Sequence, residues 1–205
     1  MRVLIAVLLL LVPTTALALP ITYDFRADAI ETIDEVNSFS LIQDGLTATL
    51  TAYPTTFDEP PLRDVVLNRT ASAFGVNVVG TTCNGAEDSA RIDGGCAGES
   101  IGIIFDQDVY LNTLMVSSFQ AGTDEGLILF NRRSLPILNT GLQDLGGLYL
   151  SAGAPLTVAW VSGGGYSLDN VTVTRVPEPT TLLLLGSGLI VIATLRRRLR
   201  ASLPR

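Results

Sequence analysis

The stretch LTATLTAY, residues Leu46–Tyr53, alternates apolar and polar side chains at every position. Successive side chains of a β-strand point to opposite faces of a sheet, so this alternation predicts a strand with one buried side and one solvent-facing side. The stretch VTVT at Val171–Thr174 has the same period. Because the two stretches lie far apart in the chain, half-buried strands are expected from its beginning to its end.

Further runs rich in β-branched and aromatic residues accompany these two stretches. Clusters of Gly, Pro, Asn and Asp separate the runs, as turns separate the strands of antiparallel proteins. The sequence therefore predicts an all-β fold, an antiparallel β-sandwich of jelly-roll type. The runs are Ile21–Phe25, Gly75–Val79, Ile101–Phe105, Val109–Phe119, Leu127–Phe130 and Leu156–Val161.

Two segments give no single prediction. Ala27–Val36 has helix-like spacing of its apolar residues and is equally compatible with a loop. Leu142–Leu150 is apolar but interrupted by glycines, which leaves strand and loop as alternatives.

The first eighteen residues have the three parts of a secretory signal peptide. Arg2 gives a positive start, Val3–Val12 is an unbroken apolar run, and Ala16-Leu17-Ala18 is a small-x-small cleavage site. We therefore expect a signal helix over residues 1–18 that signal peptidase removes after Ala18. The rest of the chain then folds outside the cytoplasm.

The last 29 residues combine three features in order. Pro177-Glu178-Pro179 comes first, followed by 16 uncharged residues at 180–195. A helix of that length spans about 24 Å, and snorkelling arginines extend it towards the ~30 Å hydrocarbon core of a bilayer. We expect a transmembrane helix over 180–195, with the body of the protein outside and the basic end in the cytoplasm. That end consists of Arg196, Arg197, Arg198 and Arg200.

This tail resembles the PEP-CTERM sorting signal of Gram-negative bacteria in its Val-Pro-Glu-Pro sequence, its leucine-rich segment and its terminal arginines. The resemblance implies processing near Pro177-Glu178-Pro179 by a membrane-embedded exosortase. It also implies passage through the inner membrane to the cell surface, or to the exopolysaccharide matrix of a biofilm. The chain is thus expected to comprise a signal peptide at 1–18, a β-sandwich domain at 19–176 and a sorting tail at 177–205.

The expected domain at 19–176 is strongly acidic. It holds 19 of the 20 acidic residues and 7 of the 13 arginines, a net charge of −12. Such a surface repels nucleic acid, which we exclude as a partner, and suits cations or neutral glycans such as those of exopolysaccharide. Solubility alone explains the charge equally well.

The sequence contains no histidine and no lysine. Ser-His-Asp and Cys-His catalytic pairs, histidine-ligated metals and Schiff-base lysines are therefore excluded. We expect a non-enzymatic structural or adhesive protein. A glycan-binding, lectin-like jelly-roll module is the alternative. A glycoside hydrolase with two carboxylates is the least favoured function, because nothing in the sequence selects a pair.

Cys83 and Cys96 lie thirteen residues apart in a stretch rich in Gly, Asn and Asp. In an exported chain an even number of cysteines favours a disulfide, which contributes about 3 kcal/mol when it closes so short a loop. A zinc site is disfavoured, because two cysteines without histidine supply too few ligands.

Asp169 and Asn170 open the last predicted strand. By resemblance to jelly-roll carbohydrate-binding modules, they are candidates for a structural calcium site, with Asp24 or Asp28 as further ligands. Calcium takes six to eight oxygen ligands, which these residues alone do not supply. A turn held by side-chain to backbone hydrogen bonds is the favoured interpretation, and no cofactor is expected.

Overall fold

The computed structural model describes residues 18–26, 33–54, 65–70, 73–78, 91–94 and 98–177, together with Gly186 and Gly188. Residues Leu19–Val176 form one compact unit. Its strands are β1 Pro20–Asp24, β2 Ile33–Val36, β3 Ser38–Gln43, β4 Leu46–Pro54, β5 Val65–Arg69, β6 Phe74–Val78, β7 Glu99–Phe105, β8 Val109–Ser117, β9 Glu125–Phe130, β10 Arg133–Ile137, β11 Gly141–Leu150, β12 Pro155–Ser162 and β13 Ser167–Arg175.

These strands form two large sheets and a small one. The first sheet has the order β1-β13-β8-β11, the second has the order β10-β9-β12-β7-β4-β3, and the small sheet has the order β2-β5-β6. Every ladder between the described strands is antiparallel. The predicted all-β, antiparallel architecture is confirmed.

Alternating side chains of the two large sheets form the core. In β4 the leucines and alanines are buried and the threonines between them are half-buried, which is the alternation that the sequence predicts. The ring of Tyr23 in β1 lies 5.8 Å from the ring of Phe105 in β7. The two sheets therefore pack face to face, and each fully buried Leu or Phe contributes about 1.5–3 kcal/mol to folding.

Strand pairing in the two large sheets is nested. β1 pairs with β13, β7 with β12, β8 with β11, and β9 with β10. Two more ladders, β13 with β8 and β12 with β9, join these pairs side by side. The segment from β2 to β6 is inserted after β1, and its strands β3 and β4 extend the second sheet beside β7. As a result, the first and last strands of the domain are neighbours.

All eight predicted runs coincide with strands, namely with β1, β4, β6, β7, β8, β9, β12 and β13. The segment Leu142–Leu150, left open by the sequence, is part of β11. Three strands, β3, β5 and β10, were not predicted. The first three residues of β5 are buried in succession and give no alternation, and β10 contains Pro136, which argues against a strand in the sequence.

The helix-like spacing of Ala27–Val36 was misleading at its end. Ile33–Val36 is strand β2, which pairs with β5 through Ile33 opposite Arg69 and Val36 opposite Leu67. Tertiary pairing decides the conformation of so short a segment, because four residues are too few to stabilise a helix. Residues 27–32 lie outside the described residues.

The predicted terminal helices lie almost entirely outside the described residues. Residues 1–17 of the signal peptide are not among them, and of the segment 180–195 only Gly186 and Gly188 are described, both with helical backbone. Within the part of the chain that is described, no helix is long and apolar enough to cross a membrane.

Candidate functional site

The sandwich has two ends, and the chain enters and leaves at the same one. The backbone N–H of Val176 donates the last hydrogen bond of β13 to the carbonyl of Asp108, at 3.0 Å. The next residue, Pro177, is exposed and has no N–H to continue the ladder. Beside it, Pro20 pairs with Thr174, and Leu19 is 79% exposed. We call this end, which carries both termini of the domain, the tail end.

Asp108 connects several segments of the tail end by hydrogen bonds. Its carboxylate accepts hydrogen bonds of 2.8 Å from the Tyr149 hydroxyl and from the backbone N–H of Ala152. These bonds, the one from Ala152 first, hold the pKa of Asp108 below its usual value. The Asn131 side chain donates to the carbonyl of Tyr149 at 2.8 Å. A continuous set of hydrogen bonds thus connects the β9–β10 turn to the residue that holds Val176.

A buried tyrosine joins the two sheets near this end. The Tyr23 hydroxyl of β1 donates to the carbonyl of Leu46 in β4 at 2.7 Å, and burial raises the pKa of Tyr23 to about 12. Arg175, the last residue of β13, lies nearby. Its Nε and Nη2 atoms are buried and make no hydrogen bond within the described residues.

The opposite end, which we call the loop end, contains Asp124, Tyr166 and the glycines at 163–165. The buried Tyr166 hydroxyl donates to the carbonyl of Ala159 in β12 at 2.7 Å. The Asp124 carboxylate, only 6% exposed, accepts from the backbone N–H of Gln120 at 2.6 Å and of Gly164 at 2.8 Å. A Cβ atom at Gly163 would lie 2.4 Å from Asp124, so the loop needs glycine there. Backbone and side chains are therefore closely fitted at this end.

The calcium candidates Asp24, Asp169 and Asn170 are brought together at the loop end. Asp24 pairs with Asn170 across β1 and β13, and the N–H of Phe25 donates to the carbonyl of Asp169 at 2.8 Å. The carboxylates of the two aspartates already have protein partners. Asp24 forms an ion pair with Arg26 at 2.9 Å, and this hydrogen-bonded guanidinium lowers the pKa of Asp24.

Asp169 is 3% exposed and accepts a 2.7 Å hydrogen bond from the Ser117 hydroxyl. Among the described residues, no group of three or more His, Cys, Asp or Glu side chains is placed to hold a metal ion. Asp28 lies outside those residues. The calcium site stays a prediction.

The other predicted site residues are described only in part. Ala18 is half-buried, next to Leu19 and just before β1, and Pro177 is exposed after β13. The disulfide, the rest of the sorting motif and the basic end stay predictions from sequence. Outside the described residues lie Cys83, Cys96, Glu178, Pro179, Arg196, Arg197, Arg198 and Arg200.

The hydrogen bond between Asp108 and Tyr149 was not foreseen from the sequence. The segment Asp106-Gln107-Asp108 separates two predicted strands, which indicates a turn. The partner of Asp108 lies 41 residues further along the chain, on a strand whose prediction was open. Only the β8–β11 ladder, in which Tyr110 lies opposite Tyr149, brings the two side chains together.

Residues 175–198 match the protein family described as the PEP-CTERM protein-sorting motif. The match begins at the last residue of β13 and ends within the terminal arginines, so the resemblance seen in the sequence is confirmed. No curated protein and no solved structure matches the chain. A motif of this kind implies export, exosortase processing and sorting to the membrane or surface of a Gram-negative bacterium.

Proposed function

Because the chain ends in a PEP-CTERM protein-sorting motif, we propose that it is an exported structural or adhesive protein of the cell surface or exopolysaccharide matrix. Signal peptidase removes residues 1–18, and an exosortase then processes the tail near Pro177-Glu178-Pro179. The sandwich at 19–176 is the part that is delivered. Its biological work is binding or scaffolding without catalysis.

The geometry of the tail end carries this proposal. Val176 makes the last ladder hydrogen bond, and Pro177 follows it immediately as an exposed residue. A processing enzyme acts on an accessible, extended segment, and proline keeps the residue before it extended. Leu19, next to the expected signal cleavage, is exposed beside it. Both processing reactions would therefore act at one end, and the loop end would stay free.

Replacing Pro177, Glu178 and Pro179 by alanine tests the sorting proposal. Mass spectrometry of the mature protein from the native host is expected to show a shortened C-terminus for the wild type and an unprocessed one for the triple variant. Pro136→Ala, at an exposed position in β10, is the matched control for loss of a proline and should be processed normally. A triple variant with the same shortened C-terminus as the wild type would contradict exosortase processing at this motif.

We also propose that the sandwich is a jelly roll. A jelly roll contains eight strands in two sheets and two Greek keys. The nested ladders β1–β13, β7–β12, β8–β11 and β9–β10 support this topology, because they form one long antiparallel ribbon. Wrapping that ribbon creates the two additional ladders, β13–β8 and β12–β9. The β2–β6 segment is then an insertion between the first two strands of the roll.

A non-enzymatic role is supported by composition and by the carboxylates that are described. The chain has no histidine or lysine to act as base, acid or nucleophile. The described Asp108, Asp124 and Asp169 each bind a backbone or hydroxyl donor within the domain. Release of sugar from purified exopolysaccharide by the wild type, abolished by replacing one carboxylate pair, would contradict this proposal.

Glycan binding is the second candidate, and the outer face of the six-stranded sheet favours it. Tyr53 is half-exposed on this face, and its ring lies across Gly102, where a Cβ atom would come within 2.7 Å of it. An aromatic ring with uncharged neighbours suits a neutral sugar ring. The exposed and half-buried residues on this side of β3, β4, β7 and β12 carry no charge: Ser38, Ser40, Ile42, Thr47, Thr49, Thr51, Tyr53, Ile104, Pro155, Thr157 and Val161.

A glycan array with and without a calcium chelator tests this candidate. We expect binding of neutral glycans that is lost in Tyr53→Ala and retained in Tyr110→Ala, a tyrosine of similar exposure on the other sheet. Binding that vanishes with chelator would support the calcium prediction as well. Absence of binding in both conditions leaves the structural role.

A further inference from the structure

The turn between β9 and β10 holds the exposed Arg132 in a strained conformation, and the exposed Arg133 follows it as the first residue of β10. Phe130 pairs with Arg133, so Asn131 and Arg132 form a two-residue hairpin turn, with φ of 45° and 63°. Such turns favour Asn-Gly, because glycine takes positive φ without steric cost. An arginine in this region costs roughly 1–2 kcal/mol. Strain that is kept at an exposed position points to a role at the surface.

Neither guanidinium group forms an ion pair with an acidic residue that the structure describes. Within the described ranges, the one ion pair joins Arg26 to Asp24, at the loop end. Arg132 and Arg133 are exposed and line a shallow depression of about 610 Å³. Its other walls are uncharged, formed by Leu129, Phe130, Asn131, Ser134, Pro155 and Thr157. In a domain of net charge −12, two guanidinium groups on an otherwise uncharged depression have the chemistry that attracts an anion.

The arginine turn belongs to the tail end. Asn131 donates to the Tyr149 carbonyl at 2.8 Å, and the Tyr149 hydroxyl donates to Asp108 at 2.8 Å. The carbonyl of Asp108 in turn holds Val176 at 3.0 Å. Three consecutive hydrogen bonds therefore connect the arginine turn to the residue before the sorting tail.

We propose that Arg132 and Arg133 bind phospholipid phosphate groups at the membrane surface before the tail is processed. This inference rests on the proposed function and on the transmembrane helix that the sequence predicts at 180–195, which would anchor the precursor in the inner membrane. The linking residues 177–179 span at most about 10 Å, so the tail end is held close to the headgroups. A cationic turn at that distance pairs with anionic headgroups and fixes the orientation of the sandwich.

The aromatic pair Tyr110 and Tyr149 fits the same partner. The two rings meet edge to face at 6.1 Å and are 38% and 45% exposed, and Tyr110 lies opposite Thr174 near the end of β13. Tyrosines with an apolar ring and a polar hydroxyl are enriched where membrane proteins meet the headgroup region. An acidic polysaccharide could also pair with the arginines. The predicted membrane anchor, however, keeps lipid headgroups within about 10 Å of the tail end, and no corresponding tether keeps a polysaccharide there.

Hydrogen exchange of the full chain in lipid nanodiscs tests the proposal. We expect slower exchange of amides 129–134 in phosphatidylglycerol nanodiscs than in phosphatidylcholine nanodiscs. The Arg132→Gly/Arg133→Gln variant should reduce the equilibrium constant between the headgroup-bound and free states by about fivefold per arginine, as expected for attraction to an anionic surface. Glycine relieves the strain at 132, so this variant is expected to fold. Arg91→Gln, an exposed arginine distant from the turn in sequence, is the matched control and should behave as wild type.

Three outcomes would overturn the proposal. The first is equal exchange in the two lipids, and the second is protection that survives in the double variant. The third compares two protecting agents for amides 129–134. If polygalacturonate added to phosphatidylcholine nanodiscs slows their exchange more than phosphatidylglycerol does, the site binds an acidic polymer rather than lipid. The mature C-terminus, measured separately by mass spectrometry, distinguishes failure of lipid binding from failure of exosortase processing.

Discussion

The tail end and the loop end of the sandwich are built from the same kinds of contact in different surroundings. Each has a buried tyrosine that donates to a backbone carbonyl in the six-stranded sheet at 2.7 Å, Tyr23 to Leu46 and Tyr166 to Ala159. The carboxylates differ. Asp108 at the tail end is half-buried and its bond with Tyr149 is exposed, whereas Asp124 at the loop end is only 6% exposed. The comparison teaches that the loop end should be the more sensitive to mutation, because buried polar groups must keep their partners.

The largest expected effect is at the loop end, from Tyr166→Ala. The ring is fully buried, 5.6 Å from the ring of Phe119, and covers Gly126. Its loss should lower the free energy of unfolding by about 3–5 kcal/mol, measured by urea denaturation. Tyr110→Ala, on the exposed face near the tail end, is the control and should change it much less. A loss below about 1 kcal/mol for Tyr166→Ala would show that the loop end is not closely packed.

Asp124→Ala is expected to have the next largest effect. It leaves the N–H groups of Gln120 and Gly164 without their acceptor, at a cost of about 1–3 kcal/mol. Asp108→Ala at the tail end is the matched variant, and its effect should be smaller because water replaces the lost acceptor. Equal losses in urea denaturation would contradict the difference between the two ends.

Tyr23→Phe and Tyr166→Phe compare the two tyrosines directly. Each variant removes one buried hydroxyl and leaves a carbonyl without its donor, so each should lose about 1–2 kcal/mol of stability. Chemical denaturation of both variants at neutral pH gives the comparison. A loss of stability in only one variant would mean that the tyrosine hydrogen bonds at the two ends do not contribute equally.

Alkaline pH should weaken both tyrosine contacts. Burial raises the pKa of Tyr23 to about 12 and also raises the pKa of Tyr166, whereas a tyrosine of the unfolded chain titrates near 10. The unfolded state therefore loses these protons first, so stability is fully present below pH 10 and declines as the pH rises above it. Stability followed from pH 8 to 12 should fall less in the double Tyr→Phe variant. An identical decline in that variant would exclude the two tyrosines as the cause.

The smallest effect is expected at Asp108. Its pKa lies below the usual value, so its contribution to stability is present at neutral pH and is lost as the pH falls through the folded-state pKa. Tyr149→Phe removes one of the two donors, and the pKa of Asp108 should rise towards its usual value in an NMR titration while Tm changes little. The bond from Ala152, the larger cause, should keep part of the shift. No change in the pKa would show that the Tyr149 hydroxyl does not hold this carboxylate.

Strand prediction from the sequence was most detailed where apolar and polar residues alternate over a long stretch. β4 and β13 have nine residues each and alternate regularly, so their residues could be assigned to a buried and an exposed face. It was incomplete for β5, whose first three residues are all buried and give no alternation. It was wrong at Ile33–Val36, where pairing with β5 decides the conformation.

Only the part of the candidate site that is contiguous in the chain could be predicted from the sequence. The Pro-Glu-Pro motif could be recognised because it is contiguous in sequence, and the family match at 175–198 confirms it. Asp108, Tyr149 and Asn131 could not be identified as its neighbours, since 18 to 41 residues separate the bonded pairs. Sequence spacing fixes neither the ladder that joins β8 to β11 nor the direction in which their side chains point.

The sequence by itself determined that this protein is built from antiparallel strands and ends in a sorting motif, because both features depend on residues that are close together in the chain. Only the tertiary structure decided that β1 and β13 are neighbours, so that both termini of the domain emerge at one end. It also placed the strained Arg132 at that end. The physical reason is that ladders between distant strands depend on burial across the whole core, which no local pattern specifies.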